Sequence, residues 1–127
     1  MSRVKRKPEL PLVYSCSGCS SAAQLANELA IRLDRGRVAE MSCIAGVGGN
    51  VKKLVNTARS GRPILAIDGC ALACTRACLA ERGVTPEQHV ILTEYGARKR
   101  YHQDFDRIEA DRLYQGILNK VPSNGGE

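Results

Sequence analysis

Six cysteines in 127 residues are the side chains with the most chemistry to offer. Cys16, Cys43 and Cys70 follow one another at intervals of 27 residues, each just after a short apolar stretch. Cys19 closes a C-x-x-C with Cys16, and Cys74 and Cys78 follow Cys70 in steps of four. Thiolates are ligands for zinc and for iron–sulfur clusters, and paired thiols carry redox chemistry. In a reducing compartment, cysteines in this number point to metal or redox chemistry rather than to a disulfide framework. His89 and His102 are isolated and read as an ordinary strand residue and an ordinary surface residue rather than ligands.

The elements that must position these thiols are legible from apolar patterning. Leu12-Val13-Tyr14-Ser15 reads as a first strand ending at Cys16. Ser20 or Ser21 caps a helix whose Ala22, Leu25, Ala26, Leu29, Ala30 and Leu33 form one stripe, with Gly36 as its stop. Residues 38–43 read as a second strand, weakened by Glu40, and 45–49 as a glycine-rich turn. A helix follows, capped by Asn50, with Val51, Leu54, Val55 and Ala58 inward and Gly61 as its end. Ile64 to Ile67 is a short buried strand. Asp68 then caps a helix over 71–82, Gly69 permits the sharp turn, and Gly83 stops the helix. Residues 89–94 read as a fourth strand, 97–102 as a basic loop. Asp106 caps a last helix carrying Ile108, Leu113, Tyr114, Ile117 and Leu118.

Strands alternating with helices imply a parallel sheet joined by crossovers. The expected fold is α/β: a three-layer, Rossmann-like sandwich around a mostly parallel sheet of about four strands. One domain spans 11–121, with a basic disordered tail at 1–10 and a polar disordered tail at 122–127. The 27-residue step is the length of one strand-plus-helix unit with its loops. It brings Cys16, Cys43 and Cys70 to one sheet edge and lands next on Ala97, where no cysteine stands. Cys70, at a strand end against a helix N-terminus, is placed to favour its thiolate.

A tetrahedral four-thiolate zinc site needs sulfurs about 3.8 Å apart, since Zn–S is near 2.3 Å. The strand-end cysteines supply three ligands, and Cys74, one helical turn beyond Cys70 on the same face, supplies the fourth. Cys78 lies about 12 Å along the helix from Cys70 and is expected to be a small core residue or a partly buried neighbour. Cys19 competes for a place in the shell. No convincing general base accompanies the thiols, and a closed four-thiolate shell favours a structural or binding role over hydrolysis. A thiol redox enzyme or sensor using Cys16 and Cys19, or an iron–sulfur protein, is the alternative.

Other chemistries fit poorly. Gly46-x-Gly48-Gly49 lacks the Lys-Ser/Thr of a P-loop and the full dinucleotide fingerprint. Cys70 to Arg76 matches C-x5-R, but the residues between hold no glycine with which to cradle a phosphate. The net charge of +6 draws four positive charges from Arg3, Lys5, Arg6 and Lys7, with no interleaved aromatic residues, so nothing marks a nucleic-acid partner. No secretory signal and no apolar run of membrane-spanning length is visible, which gives a cytoplasmic expectation. The expected partner is a metal ion; nothing names a protein partner.

Three motifs in order carry a family resemblance: Cys16-Ser17-Gly18, Met41-x-Cys43-x-Ala45-Gly46-x-Gly48-Gly49, and Ile67-Asp68-Gly69-Cys70-x-x-x-Cys74. The chain resembles, from about Leu12 to Lys99, the DGC-domain family of small bacterial and archaeal proteins, named for its Asp-Gly-Cys motif and described as zinc-binding. The resemblance implies that Cys16, Cys43, Cys70 and Cys74 are the family cysteines and zinc their ligand.

Overall fold

In the computed structural model, which describes residues 9–123, four strands form one sheet. They are β1 (Leu12–Ser15), β2 (Glu40–Met41), β3 (Ile64–Asp68) and β4 (Gln88–Ile91). The order is β2-β1-β3-β4 and every neighbouring pair is parallel. The helices are α1 (Ser21–Arg35), α2 (Ile44–Gly48), α3 (Lys52–Ala58), α4 (Cys74–Glu81) and α5 (Arg107–Ile117). Of the tails expected at 1–10 and 122–127, residues 1–8 and 124–127 lie outside the described residues. Leu10 is tied to the body: its carbonyl accepts from Arg62 Nε at 3.0 Å and Nη2 at 2.6 Å.

The period-2 alternation of the strands sorts their side chains onto two faces. Val13, Leu65, Ile67 and Val90 pack against Leu25, Leu29 and Leu33 of α1 and Leu113 and Ile117 of α5. Leu12, Tyr14, Ile64 and Ala66 pack on the other face against Val47 of α2, Ala58 of α3 and Leu79 of α4. The result is a three-layer α/β sandwich with an aliphatic core. The chain passes from β1 outward to β2 along one face, then returns across the other to β3. The strand order therefore reverses between β1 and β3, and in doubly wound sheets ligands bind in the crevice beyond the strand ends at such a switch point.

Several local expectations are corrected. The second strand is confined to Glu40–Met41, an edge position where exposed Glu40 pairs with Arg62 at 2.7 Å. The fourth strand ends at Ile91, and Leu92–Tyr95 forms a 3-10 turn. There the Thr93 N–H donates to the Gly69 carbonyl at 3.1 Å, drawing the chain over the end of β3. The glycine segment is not a loose turn but contains α2. Gly46 faces Leu54 and Gly48 faces Cys78, so small residues are needed for helix contact. Val51 rather than Asn50 precedes α3; Val51, expected inward, is exposed, and so is Ile108 at the start of α5.

Candidate functional site

The turn after β3 differs most from expectation. The helix begins at Cys74 rather than Ala71, and Ala73 before it is left-handed, with φ 52 and ψ 49. That conformation costs an L-residue roughly 1–2 kcal/mol. Asp68, buried completely, offsets it. Its Oδ1 accepts from Thr75 N at 2.7 Å and its Oδ2 from Arg76 N at 3.3 Å. Asp68 is thus the helix cap expected of it, but for a helix starting later, and Cys70 to Ala73 are left as a tight turn closed by Ala73 N to Cys70 O at 3.0 Å. Cys70 and Cys74 are not successive turns of one helix.

A cleft of about 220 Å³ opens beyond the ends of β1 and β3, at the switch point. Four cysteines line it: Cys16 and Cys19 from the β1–α1 loop, Cys70 and Cys74 from the turn after β3. Cys43, expected as a ligand from the end of β2, does not line it. It sits exposed as the residue before α2. Arg82 at the end of α4 donates to the carbonyls of Val47 and Gly48 at the end of α2, at 2.9 and 2.8 Å. Both helices leave the same sheet edge, so Cys43 and Cys74 each begin one of two adjoining helices. Cys78 is half-buried beside Gly48, whose added Cβ would stand 2.9 Å from its sulfur.

The four cleft thiols have unlike surroundings. Cys19 and Cys74 are exposed. Cys16 packs against the core, its sulfur accepting from Gly69 N at 3.2 Å. Burial pushes its thiol up to about 11, helped by nearby Asp68, Cys74 and Cys70 and opposed by the Gly69 N–H. Cys70 Sγ accepts from Lys99 Nζ at 3.4 Å. Tyr101 first, and Cys70 after it, raise the affinity of Lys99 for its own proton.

Sequence reasoning singled out neither Lys99 nor Tyr101, which complete the cleft wall. Their loop is fastened to the start of α1. Ser21 N donates to Arg100 O at 2.8 Å, Ser21 Oγ to Arg98 O at 3.1 Å, and Arg100 N to Ser21 Oγ at 3.0 Å. The one hint was the 27-residue step, whose fourth landing, Ala97, lies two residues before Lys99. His89, read as an ordinary strand residue, instead reaches Asp68 Oδ2 through Nε2 at 2.7 Å.

Among the described residues, no three His, Cys, Asp or Glu side chains are placed closely enough to hold a metal ion as they stand. Thiols are the donor type that soft metals take, and four of them line this one cleft. Two of the four are exposed, so rotation about their side-chain bonds is open to them. Among the described residues, no helix is long and apolar enough to cross a membrane.

A doubly wound α/β domain with cysteines at its strand ends and an Asp-Gly-Cys turn matches the family model "DGC domain" over residues 12–117. The chain belongs to the DGC-domain family. It is similar to the anaerobic and virulence modulator AnvM of Pseudomonas aeruginosa, with 61% identity over 125 residues, covering 97% of this chain and 95% of the relative. No solved structure matches the chain significantly.

Proposed function

We propose that the chain is a cytoplasmic metal-binding protein that takes one zinc ion through thiolates at the C-terminal edge of its sheet. The observation that carries this reading is that Cys16, Cys19, Cys70 and Cys74 line one cleft at the switch point. Cys16, Cys70 and Cys74 hold the ion, with Cys19 or Cys43 completing the shell. Cys19 lines the cleft as it stands, whereas Cys43 does not. A relative named as an anaerobic and virulence modulator supports a regulatory rather than a metabolic role, in which metal loading of the cleft is what is read out.

Zinc and iron measured per chain on untagged, anaerobically purified protein test the proposal. About one equivalent of zinc is expected; iron with a brown colour would replace zinc by an iron–sulfur cluster. Less than about a tenth of an equivalent of either overturns metal binding and leaves the thiol-redox reading. The cysteines of α4 sharpen the test by chelator competition. Cys74→Ser should weaken metal binding strongly. Cys78→Ser should leave metal content unchanged and cost about 1–2 kcal/mol of stability, as a half-buried polar replacement.

A further inference from the structure

His89 and Asp68 form a contact that the metal-binding proposal does not use. His89 lies on β4 in register with Ala66 of β3, and Asp68 is two residues beyond Ala66. In a parallel pair, register partners share a face and so do residues two apart. Both side chains therefore stand on the face covered by α4. His89 Nε2 donates to Asp68 Oδ2 at 2.7 Å, with 17% of the His89 side chain and 1% of the Asp68 side chain exposed. The same carboxylate holds Thr75 N and Arg76 N, and the Thr75 hydroxyl donates to Ile67 O at 3.3 Å.

We propose that His89 is a positioning residue for the thiol cleft, acting through Asp68 on the turn that carries Cys70 and Cys74. Without His89 the Asp68 carboxylate would keep partners on α4 alone, Thr75 N and Arg76 N, and could shift together with that helix. One fixed on the His89 side and the α4 side together has a single orientation. That orientation determines where the first turn of α4 starts, and Cys74 is its first residue. The left-handed Ala73 is the local strain this arrangement must hold. In metal sites, groups that orient ligand-bearing elements typically change metal affinity 10- to 100-fold when removed. The metal part of this inference rests on the proposed function; the positioning part does not.

The test compares His89→Gln with His89→Asn in the full chain. The Gln amide nitrogen reaches about as far as Nε2, while the Asn amide stops short of Asp68. Two readouts are taken. Amide hydrogen exchange at Thr75 and Arg76 is measured against amides in the middle of α1. Cobalt(II) is titrated and followed by its thiolate charge-transfer absorption. His89→Asn should speed exchange at Thr75 and Arg76 at least about tenfold relative to α1, and weaken cobalt binding about tenfold or more. His89→Gln should stay within about threefold of the parent in both. If the two folded variants behave alike, both unaffected or both impaired to the same degree, His89 does not position the turn through its reach to Asp68. If the parent chain binds no cobalt through thiolate, the metal reading fails, and the exchange data still decide the positioning role.

Discussion

Replacing Gly69 by alanine tests the contact that holds the cleft together. A Cβ built on Gly69 would lie 2.5 Å from both the carbonyl carbon and oxygen of Ala22, and 2.8 Å from the nitrogen of Ala23. Favourable carbon contacts are about 3.5–4.0 Å, so the turn after β3 and the first turn of α1 must separate by about 1 Å. These three nearest atoms are all helix backbone, tied into α1 and, through Ser21, to the 98–101 loop, and none is a flexible side-chain end. Overpacking of this kind costs about 1–3 kcal/mol, and the rigid neighbour puts Gly69→Ala at the upper end, about 3 kcal/mol. For a domain of this size that lowers the melting temperature by roughly 10 °C. Separation also breaks the Gly69 N–H contact to the Cys16 sulfur, so alkylation of Cys16 should quicken in the folded, metal-free protein. Thermal unfolding by circular dichroism and mass-spectrometric alkylation at pH 8 read the two effects. A variant melting within about 2 °C of the parent, with Cys16 still slow, would falsify the claim that this glycine serves a close approach of backbones.

Gly116, near the end of α5, makes the opposite case, because an added Cβ meets nothing within 4 Å. Gly116→Ala should raise stability by about 0.5 kcal/mol through helix propensity, read as a higher denaturant midpoint at unchanged slope. Cys16 supplies a pH dependence. Its thiol is raised from 9.0 to about 11, mainly by burial, so the folded state holds this proton more tightly than the unfolded one. The contribution is full below about pH 9 and is lost as pH rises through 11. Urea unfolding of metal-free protein from pH 8 to 11 should show this loss, and Cys16→Ala should flatten it.

The sequence alone was enough for the α/β alternation, the parallel four-stranded sheet and the gathering of strand-end residues at one edge. These follow from local signals: apolar runs, caps at Ser20 and Asp106, and a repeat length set by one strand and one helix. It also marked Asp68 and Gly69, although the reason for the glycine was hidden. Read along the chain, Gly69 looks like a residue for a turn; in the fold it lets β3 run against the backbone of α1, a neighbour 47 positions away. The membership of the cleft was equally out of reach. Periodicity puts Cys43 on the correct edge but cannot see that β2 is a two-residue outer strand, leaving Cys43 at the start of α2 while Cys19 enters the cleft. Lys99 and His89 reach the site from β4 and the loop after it, and their partners, Cys70 and Asp68, belong to β3 and its turn. Such pairings depend on how separate elements dock, which side-chain spacing within any one element does not encode.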